Sequence, residues 1–291
     1  MYCLACNGKK INLIWNDKIR SAKKKFTKNN EKIYQCQNCE LVFLKKKRKI
    51  LEDSGLSRKL YNKDNSINEF FNFHAPRELK KLDLIKKHIN FKNKQVLESN
   101  CGAGIIINNL RKISKLTVGI DNSIYKKFLE ENGHLFFKDI DTIINKKIKF
   151  DVILSLSEIE HKHDPILFLK KLKKIVKKDG YIVLRIPNFY NIYMFLLSKD
   201  FFKYDYRTSH NYYFSERNLD LIFKKLNFKI YLKKGFNEYS ANHLFTYLKN
   251  KKRVNGNKIN NIFKKKADNL IVKNIENSKV STSLIYILKA C

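Results

Sequence analysis

No stretch of the 291 residues is apolar over the length that a membrane-crossing helix needs, and the most apolar candidate, Ile192 to Leu197, is far too short. The N-terminus, MYCLAC, lacks a charged region followed by a long apolar one, so it does not read as a secretory signal. These two absences lead us to expect a cytoplasmic protein without a membrane span. Acids are also scarce, 27 Asp+Glu against 61 Lys+Arg, leaving a formal charge of +34. Such an excess invites a nucleic-acid partner. The lysines are spread through every segment beside many Asn and Ile, however, so compositional bias is favoured over a dedicated nucleic-acid face. The runs Lys45–Lys49 and Lys264–Lys266 accordingly read as solvated surface. Glycine is scarce as well, nine in all. Where two fall close together, the backbone has a task that other residues perform badly.

Four of the six cysteines lie in the first forty residues, as Cys3-Leu-Ala-Cys6 and Cys36-Gln-Asn-Cys39. Two C-x-x-C pairs supply four thiolates, the number a tetrahedral structural zinc takes. The intervening segment, residues 7–35, is longer than the usual ribbon spacing. A redox role is disfavoured because neither pair is embedded in a thioredoxin-like βαβ pattern. Disulfides are not expected in a reducing compartment. Residues 1–45 therefore read as a small zinc ribbon holding a structural Zn2+ on Cys3, Cys6, Cys36 and Cys39, with Tyr34 and Phe43 packed around it. Residues 46–76 read as a charged connector.

From residue 77 onward the pattern is that of one large domain, 77–291. Leu79, Leu82, Leu84 and Ile85 recur at helical spacing. Short β-rich runs then alternate with amphipathic helices. Strands are predicted at 95–99, 116–120, 134–137, 150–156 and 181–186, and helices at 103–113, 123–132 and 165–177. Asp164 caps the last of these, Pro165 opens it, and Gly180 marks its end. An aromatic excursion, 187–214, precedes a helix to residue 226 and a strand at 228–233. Residues 250–275 read as a variable insertion before a final strand at 282–288. Alternating strands and helices imply a doubly wound, mostly parallel sheet of the Rossmann-like α/β class, with seven strands.

The two close glycines fall in the first strand-to-helix turn, VLESNCGAG, residues 96–104. In a doubly wound sheet, ligands sit beyond the carboxyl ends of the strands, and this turn approaches them most closely. A Walker loop is excluded because no Lys-[Ser/Thr] follows. A dinucleotide fingerprint is excluded because Ile107 stands in its third glycine place. What remains is an acid followed by spaced glycines: Glu98, Gly102 and Gly104. The second strand ends in VGID, putting Asp121 at a strand terminus where a carboxylate can accept from a ribose diol. The third strand is followed by Asp139, placed to accept from an adenine amino group. Any one of these acids alone reads as a turn or cap residue; three beyond successive strands form a pattern.

The runs VLESNCGAG, VGID, FFKDI, FDVILSLSEIEH and DGYIVLRIPN resemble the class I S-adenosylmethionine-dependent methyltransferases, in the family's order, over about residues 77 to 235. The resemblance is strongest to their bacterial small-molecule branch, including enzymes that act on sugars. It implies S-adenosyl-L-methionine as cofactor. Glu98 would lie near the methionine amino group, Gly102 and Gly104 in the loop, Asp121 and Asn122 at the ribose, and Asp139 and Ile140 at the adenine. Ser155 to Ser157 would line the methionine side. Asn100 departs from the pattern, standing where the family has its first glycine. Asn is the residue that best tolerates left-handed backbone after glycine, so the turn is expected to form.

After the fourth strand, SLSEIEHKHDP carries Glu158, Glu160, His161, His163 and Asp164. Methyl transfer from a sulfonium depends on positioning and exclusion of water, and a base is needed only for an acceptor that must lose a proton. An unperturbed histidine, with a pKa of about 6.5, suits that task. His161 is the candidate base and Glu160 its orienting partner, and the pair alternatively shapes the pocket. His210, among Tyr206, Tyr212, Tyr213 and Phe214, either roofs an acceptor pocket or belongs to an aromatic core. The favoured function is methylation of a small-molecule acceptor: a sugar, a nucleotide-linked sugar or a lipid-like precursor. The alternatives are a tRNA or rRNA methyltransferase and a catalytically inactive binding protein. Against an RNA acceptor, the chain lacks [DN]-P-P-[YFW] and a catalytic cysteine after the fourth strand.

Overall fold

The computed structural model describes residues 1–21, 26–45, 67–121, 125–250 and 259–290, with the backbone alone for 68–70. Asn122, the start of the helix expected at 123, most of the 46–76 connector, residues 251–258 of the expected insertion and Cys291 lie outside the described residues. In chain order the elements are β1 (Ile11–Asp17), β2 (Glu31–Cys36), β3 (Val42–Leu44), α1 (Ile67–Lys86), β4 (Gln95–Ser99), α2 (Ile105–Leu110), β5 (Leu116–Ile120) and α3 (Lys126–Glu131). Next come β6 (Leu135–Phe137), α4 (Ile140–Asn145), β7 (Phe150–Leu156), α5 (Pro165–Ile175), β8 (Val176–Pro187), α6 (Ile192–Leu197) and α7 (Asp200–Tyr204). The last are β9 (Tyr212–Tyr213), α8 (Glu216–Lys225), β10 (Phe228–Phe236), α9 (Ala241–Asn250), α10 (Lys265–Asn277) and β11 (Ser283–Ala290).

Seven strands form one mostly parallel sheet in the order β10-β11-β8-β7-β4-β5-β6. From β4 the chain steps outward through β5 to β6, then crosses back to β7 on the other side of β4. The β4–β5, β5–β6 and β4–β7 pairs are all parallel. That reversal is the switch point of a doubly wound sheet, where side chains at the strand ends diverge and leave a crevice. Strands flanked on both faces must be apolar throughout. Val96, Leu97, Val118, Val152, Ile153 and Leu154 are buried accordingly.

The chain makes two compact units. One comprises Met1–Arg48, Arg185–Ile222 and Leu232–Tyr286; the other comprises Lys49–Leu184, Phe223–Tyr231 and Ile287–Cys291. In the first, a four-stranded sheet runs β1-β2-β3-β9. Its β1–β2 hairpin fills the long segment between the cysteine pairs, and β3 pairs with β9 through Val42↔Tyr213 and Phe43↔Tyr212. Tyr34 and Phe43 face each other across β2 and β3.

Two helix boundaries differ from the sequence reading, and one alternative it left open is decided for part of the excursion. Helix α1 begins at Ile67 and runs through Pro76, so it starts inside the segment read as a connector. Its Ile67, Phe71, Ala75 and Leu79 pack against Cys101, Ala103, Ile105, Ile107, Tyr125 and Leu129. That burial outweighs the one backbone bond proline removes. Helix α5 ends at Ile175 rather than Lys177, and the left-handed residue there is Asp179 (φ 62°), not Gly180. Gly180 is required for space: a Cβ on it would stand 2.9 Å from the Asp151 carbonyl oxygen. In the 187–214 excursion, Tyr206 and Tyr213 are core residues, buried alongside Ile19, Ile33, Val42 and Phe201, whereas Phe195 is exposed.

Candidate cofactor site and cysteine cluster

The register of β4 against its neighbours sets the site. Glu98 lies abreast of Gly119 and Leu154, and Ser99 abreast of Ile120 and Ser155. The residues that follow, Asn100, Asp121 and Leu156–Ser157, therefore emerge together beyond the strand ends. Asn100, Gly102 and Gly104 all adopt left-handed backbone, with φ of 60°, 57° and 74°. Gly104 has a second constraint, because a Cβ there would lie 2.4 Å from Leu129 Cδ2. Gly119 leaves space for Cys101, whose Sγ would be 2.8 Å from a Cβ. Ile105, Ile106, Ile107 and Leu110 of α2 are fully or nearly fully buried and fix the loop from behind.

Glu98 is buried at the tip of β4, and its Oε2 has no hydrogen-bond partner among the described residues. Burial pushes its carboxyl well above the usual carboxylate range. Glu78 and Asp121 push the same way, while the Ile107 backbone N–H and Lys81 offset part of the effect. A buried oxygen without a partner is costly and marks a place where a ligand donor fits. Asp121 is buried and its Oδ2 accepts the backbone N–H of Gly102 at 2.8 Å. Asp139 is exposed and caps α4, its Oδ1 accepting from the Thr142 backbone N–H and from Thr142 Oγ1, both at 2.8 Å. That backbone bond holds its carboxyl below the usual range. Ile140 follows it, half-buried.

On the β7 side, Ser155 is buried and donates to Glu158 Oε2 at 2.8 Å. Glu158 also pairs with Lys162 at 2.5 Å. Ser157 has a φ of 72°, turning the chain sharply into the single helical turn Ile159–His161. Glu160 is fully buried, and its Oε1 lies 3.9 Å from Nε2 of the partly exposed His161. Asp164 caps α5 by accepting from the Leu167 N–H at 2.9 Å, with Pro165 in the first helical place. The structure thus brings Glu98, Asn100, Gly102, Gly104 and Asp121 into one locale, with Ser155 near the end of the adjacent β7 and Ser157, Glu160 and His161 following it. His210 belongs to the other unit, buried with its ring 5.0 Å from that of Tyr213.

The sequence reading placed a helix from residue 77 but gave it no part beside the loop after β4, against which α1 packs. Lys81 is buried on this helix, paired with Glu78 at 2.8 Å. Only the Glu78 and Lys81 spacing of one helical turn is visible in the sequence, and by itself it reads as a solvated helix pair.

In the N-terminal segment the four Sγ atoms of Cys3, Cys6, Cys36 and Cys39 all lie within 4.8 Å of one another. The Cys3–Cys39 and Cys6–Cys36 separations are 3.4 and 3.5 Å. The two knuckles repeat each other. Asn7 N–H donates to the Cys3 carbonyl and Glu40 N–H to the Cys36 carbonyl, both at 2.8 Å. Cys3 N–H donates to the Gly8 carbonyl and Cys36 N–H to the Leu41 carbonyl, both at 3.0 Å. Asn7 and Glu40 take the same left-handed turn, with φ of 60° and 65°. The bond from Cys39 draws the Cys3 thiol down to about 5, and the same contact pushes Cys39 up. The fully protonated cluster is thus disfavoured, as suits a donor set for a thiophilic cation.

The sequence pattern of the methyltransferase-domain family matches residues 71–233, more than half of the chain. A tRNA U34 carboxymethyltransferase of Nautilia profundicola is 29% identical over 127 residues, 40% of this chain and 42% of its own. A ubiquinone biosynthesis O-methyltransferase of Coxiella burnetii is 28% identical over 108 residues, 34% of this chain and 46% of its own. Both matches span less than half of the relative's length. Among solved structures, a methyltransferase of Haloferax volcanii in complex with the Trm112 methyltransferase activator aligns with a TM-score of 0.51 and 12% identity. It covers 77% of this chain and 92% of its own, a likeness of fold. Among the described residues no helix is long and apolar enough to cross a membrane. With the switch-point loop, the strand-end acids and the match over residues 71–233, the chain belongs to the class I S-adenosylmethionine-dependent methyltransferases.

Proposed function

We propose that the enzyme methylates a small-molecule acceptor, such as a sugar, a nucleotide-linked sugar or a lipid-like precursor. The observation that carries the cofactor part of this reading is the buried Glu98 oxygen without a partner among the described residues, beside three left-handed loop residues. Glu98 receives the cofactor's ammonium, and Asn100, Gly102 and Gly104 let the backbone approach it. Asp121 holds the ribose, with Asn122 next to it in sequence, and Asp139 and Ile140 flank the adenine. The Ser155–Ser157 segment lines the methionine side. When bound, the cofactor supplies an electrophilic methyl on its sulfonium. His161 takes the proton from an acceptor hydroxyl or carbon acid, and Glu160 orients the ring and steadies its positive charge. The four N-terminal cysteines hold one structural zinc. The enzyme works in the reducing cytoplasm, where the thiols that hold this zinc stay reduced.

A second reading, an RNA acceptor, is favoured by the +34 charge and by the tRNA substrate in the name of one relative. One experiment tests both. Purified protein is incubated with methyl-labelled S-adenosylmethionine and either a small-metabolite extract or total tRNA. Label entering a metabolite, read by mass spectrometry, supports the first reading; label entering only tRNA replaces it with the second.

A further inference from the structure

We propose that the turns entering β4, β5 and β7 form a docking face for single-stranded nucleic acid, at the opposite ends of these strands from the loop that follows β4. Such a partner need not be the methyl acceptor, and the face stands apart from both acceptor readings.

The three strands are neighbours in the sheet, in the order β7-β4-β5. At about 4.8 Å from strand to strand, the turns that enter them lie within roughly 10 Å of one another. Residues 86–94 lead into β4 and carry Lys86, Lys87, Lys92 and Lys94. Residues 111–115 lead into β5 with Arg111, Lys112 and Lys115, and residues 146–149 lead into β7 with Lys146, Lys147 and Lys149. None of the three turns contains an acid. All of these cations are exposed, and none is in an ion pair among the described residues. Backbone bonds join the first two turns. Asn93 N–H donates to the Ile113 carbonyl and Lys115 N–H to the Lys94 carbonyl, both at 2.9 Å. Asp151, near the start of β7, is already engaged by the Gln95 N–H at 2.8 Å and by Lys177 Nζ at 2.9 Å.

Compositional bias does not account for this face by itself. At their other ends the same strands carry acids: Glu98 in β4, Asp121 after β5, and Glu158 and Glu160 after β7. A surplus of lysine sets cations at both ends and clears acids from neither.

The cations make the partner a polyanion, and a cleft among them narrows its kind. The cleft is open, about 390 Å³ in volume, and its lining includes Lys87, His88 and Asn90 together with Ile89, Phe91 and Ile113. Asn90 Oδ1 accepts the Lys92 N–H at 2.9 Å, which leaves the Asn90 NH2 to donate to a ligand. Apolar and hydrogen-bonding groups side by side, flanked by cations, suit an unpaired base whose phosphates run over the lysines. A bilayer would draw on exposed apolar side chains as well as charge. Of the apolar residues in these turns only Ile113 is exposed, at 43%, while Ile89 and Phe91 are buried and Ile148 is half-buried.

Fluorescence anisotropy on the full chain, with a labelled single-stranded RNA of about 15 nucleotides and mixed sequence, tests the face. Wild-type affinity is expected to fall with salt at a log–log slope of roughly −3, the value for about four phosphate contacts. One variant combines Lys94→Gln, Lys112→Gln, Lys115→Gln and Lys147→Gln. It is expected to bind at least about tenfold more weakly at about 0.1 M salt, with a flatter slope. A charge-matched control combines Lys9→Gln, Lys10→Gln, Lys28→Gln and Lys32→Gln, all exposed and in the other compact unit. The control is expected to stay within about threefold of wild type. Inorganic polyphosphate of matched charge has no bases and is expected to bind wild type at least about tenfold more weakly than the RNA, the worth of one stacked base. Equal weakening in the two variants overturns the proposal, because the field of the whole chain then does the binding. Polyphosphate that binds as tightly as the RNA overturns it too, a comparison that needs no variant. So does a wild type that ignores the RNA; phosphatidylserine vesicles held by wild type and released by the Lys94 variant then give the face to a lipid surface.

Discussion

Oδ2 of Asp121 accepts the backbone N–H of Gly102 at 2.8 Å, so the acid that ends β5 is fastened to the loop that follows β4. Asp121 therefore has two tasks, a structural one that the structure displays and the proposed hold on the ribose. They are separable by substitution. Asp121→Ala leaves a buried N–H without its acceptor and is expected to cost about 1–3 kcal/mol of stability together with at least about tenfold in cofactor affinity. Asp121→Asn keeps an acceptor for Gly102 and is expected to stay within about 1 kcal/mol of wild type while still losing affinity. Denaturant titration and calorimetry read the two quantities. Wild-type affinity in the Asn variant leaves Asp121 with the structural task alone.

Gly104 and Asn100 share a left-handed backbone but differ in their surroundings. A methyl on Gly104 meets Leu129 at 2.4 Å and Ile107 at 3.0 Å. Gly104→Ala is expected to destabilise by roughly 2–4 kcal/mol, from handedness and overpacking together. Asn100→Gly removes a modest strain and adds freedom to the unfolded chain, so its effect is expected to stay within about 1 kcal/mol. Equal losses in urea unfolding contradict this account of the loop.

His134 gives the pH dependence. It is buried, with Nδ1 2.6 Å from Thr117 Oγ1 and Nε2 2.5 Å from Asn108 Oδ1. Burial, and to a lesser degree Arg111, lowers its pKa from 6.5 to about 4. The unfolded chain therefore binds a proton below 6.5 that the folded chain refuses until about 4, and stability falls as the pH drops through that window. The expected loss between pH 7 and pH 5 is roughly 2 kcal/mol. His134→Gln keeps a polar group and removes the titration, so its unfolding free energy should fall less over the same range. Parallel slopes for the two proteins rule His134 out as the cause.

The strands that build the switch point were legible because strands covered on both faces are almost uninterrupted apolar runs. Residues 95–99, 116–120 and 150–156 form strands at the predicted bounds. The helix ends were less legible, and the reasons are local. Residues 67–76 read as connector, yet the apolar residues among them bind α1 to the loop after β4. Gly180 read as a left-handed cap, yet it is a contact point and Asp179 makes the turn. Pairing of β3 with β9 joins residues 42–43 to 212–213. Such long-range pairing leaves no local pattern, so the company kept by the N-terminal segment was not readable. In the site, acids and glycines were readable from spacing, whereas the bond between Asp121 and Gly102 and the burial of Lys81 are products of packing.

Glu160 Oε1 stands 3.9 Å from His161 Nε2, a reach that shortens to a hydrogen bond with a small ring movement. If His161 is the base, His161→Asn should lower turnover about 10²–10⁴-fold with cofactor affinity unchanged. Glu160→Gln, which keeps shape but loses the charge, should cost less. Unchanged turnover in His161→Asn reduces the pair to shaping the pocket.

The cysteine cluster makes the strongest quantitative demand. Four sulfurs around a tetrahedral zinc, each about 2.3 Å from the metal, stand roughly 3.8 Å apart. Separations of 3.4 and 3.5 Å, with all four sulfurs within 4.8 Å, need little adjustment to reach that. The matching turns at Asn7 and Glu40 set both pairs in the same orientation. One zinc per chain is expected in protein purified without chelator, lost in Cys36→Ser and kept in Cys101→Ser, whose thiol lies in the loop after β4. The binding free energy of a structural zinc contributes directly to folding. Asn218 Nδ2 donates to the Cys39 carbonyl at 3.2 Å, and Arg217 pairs with Glu40 at 2.9 Å, so the second knuckle is tied to the start of α8. Removing the metal is therefore expected to lower the melting temperature of wild type and to leave that of Cys36→Ser unchanged. Metal analysis that finds no zinc in the freshly purified chain, or a chelator that leaves the wild-type melt where it was, excludes a zinc that holds this segment together.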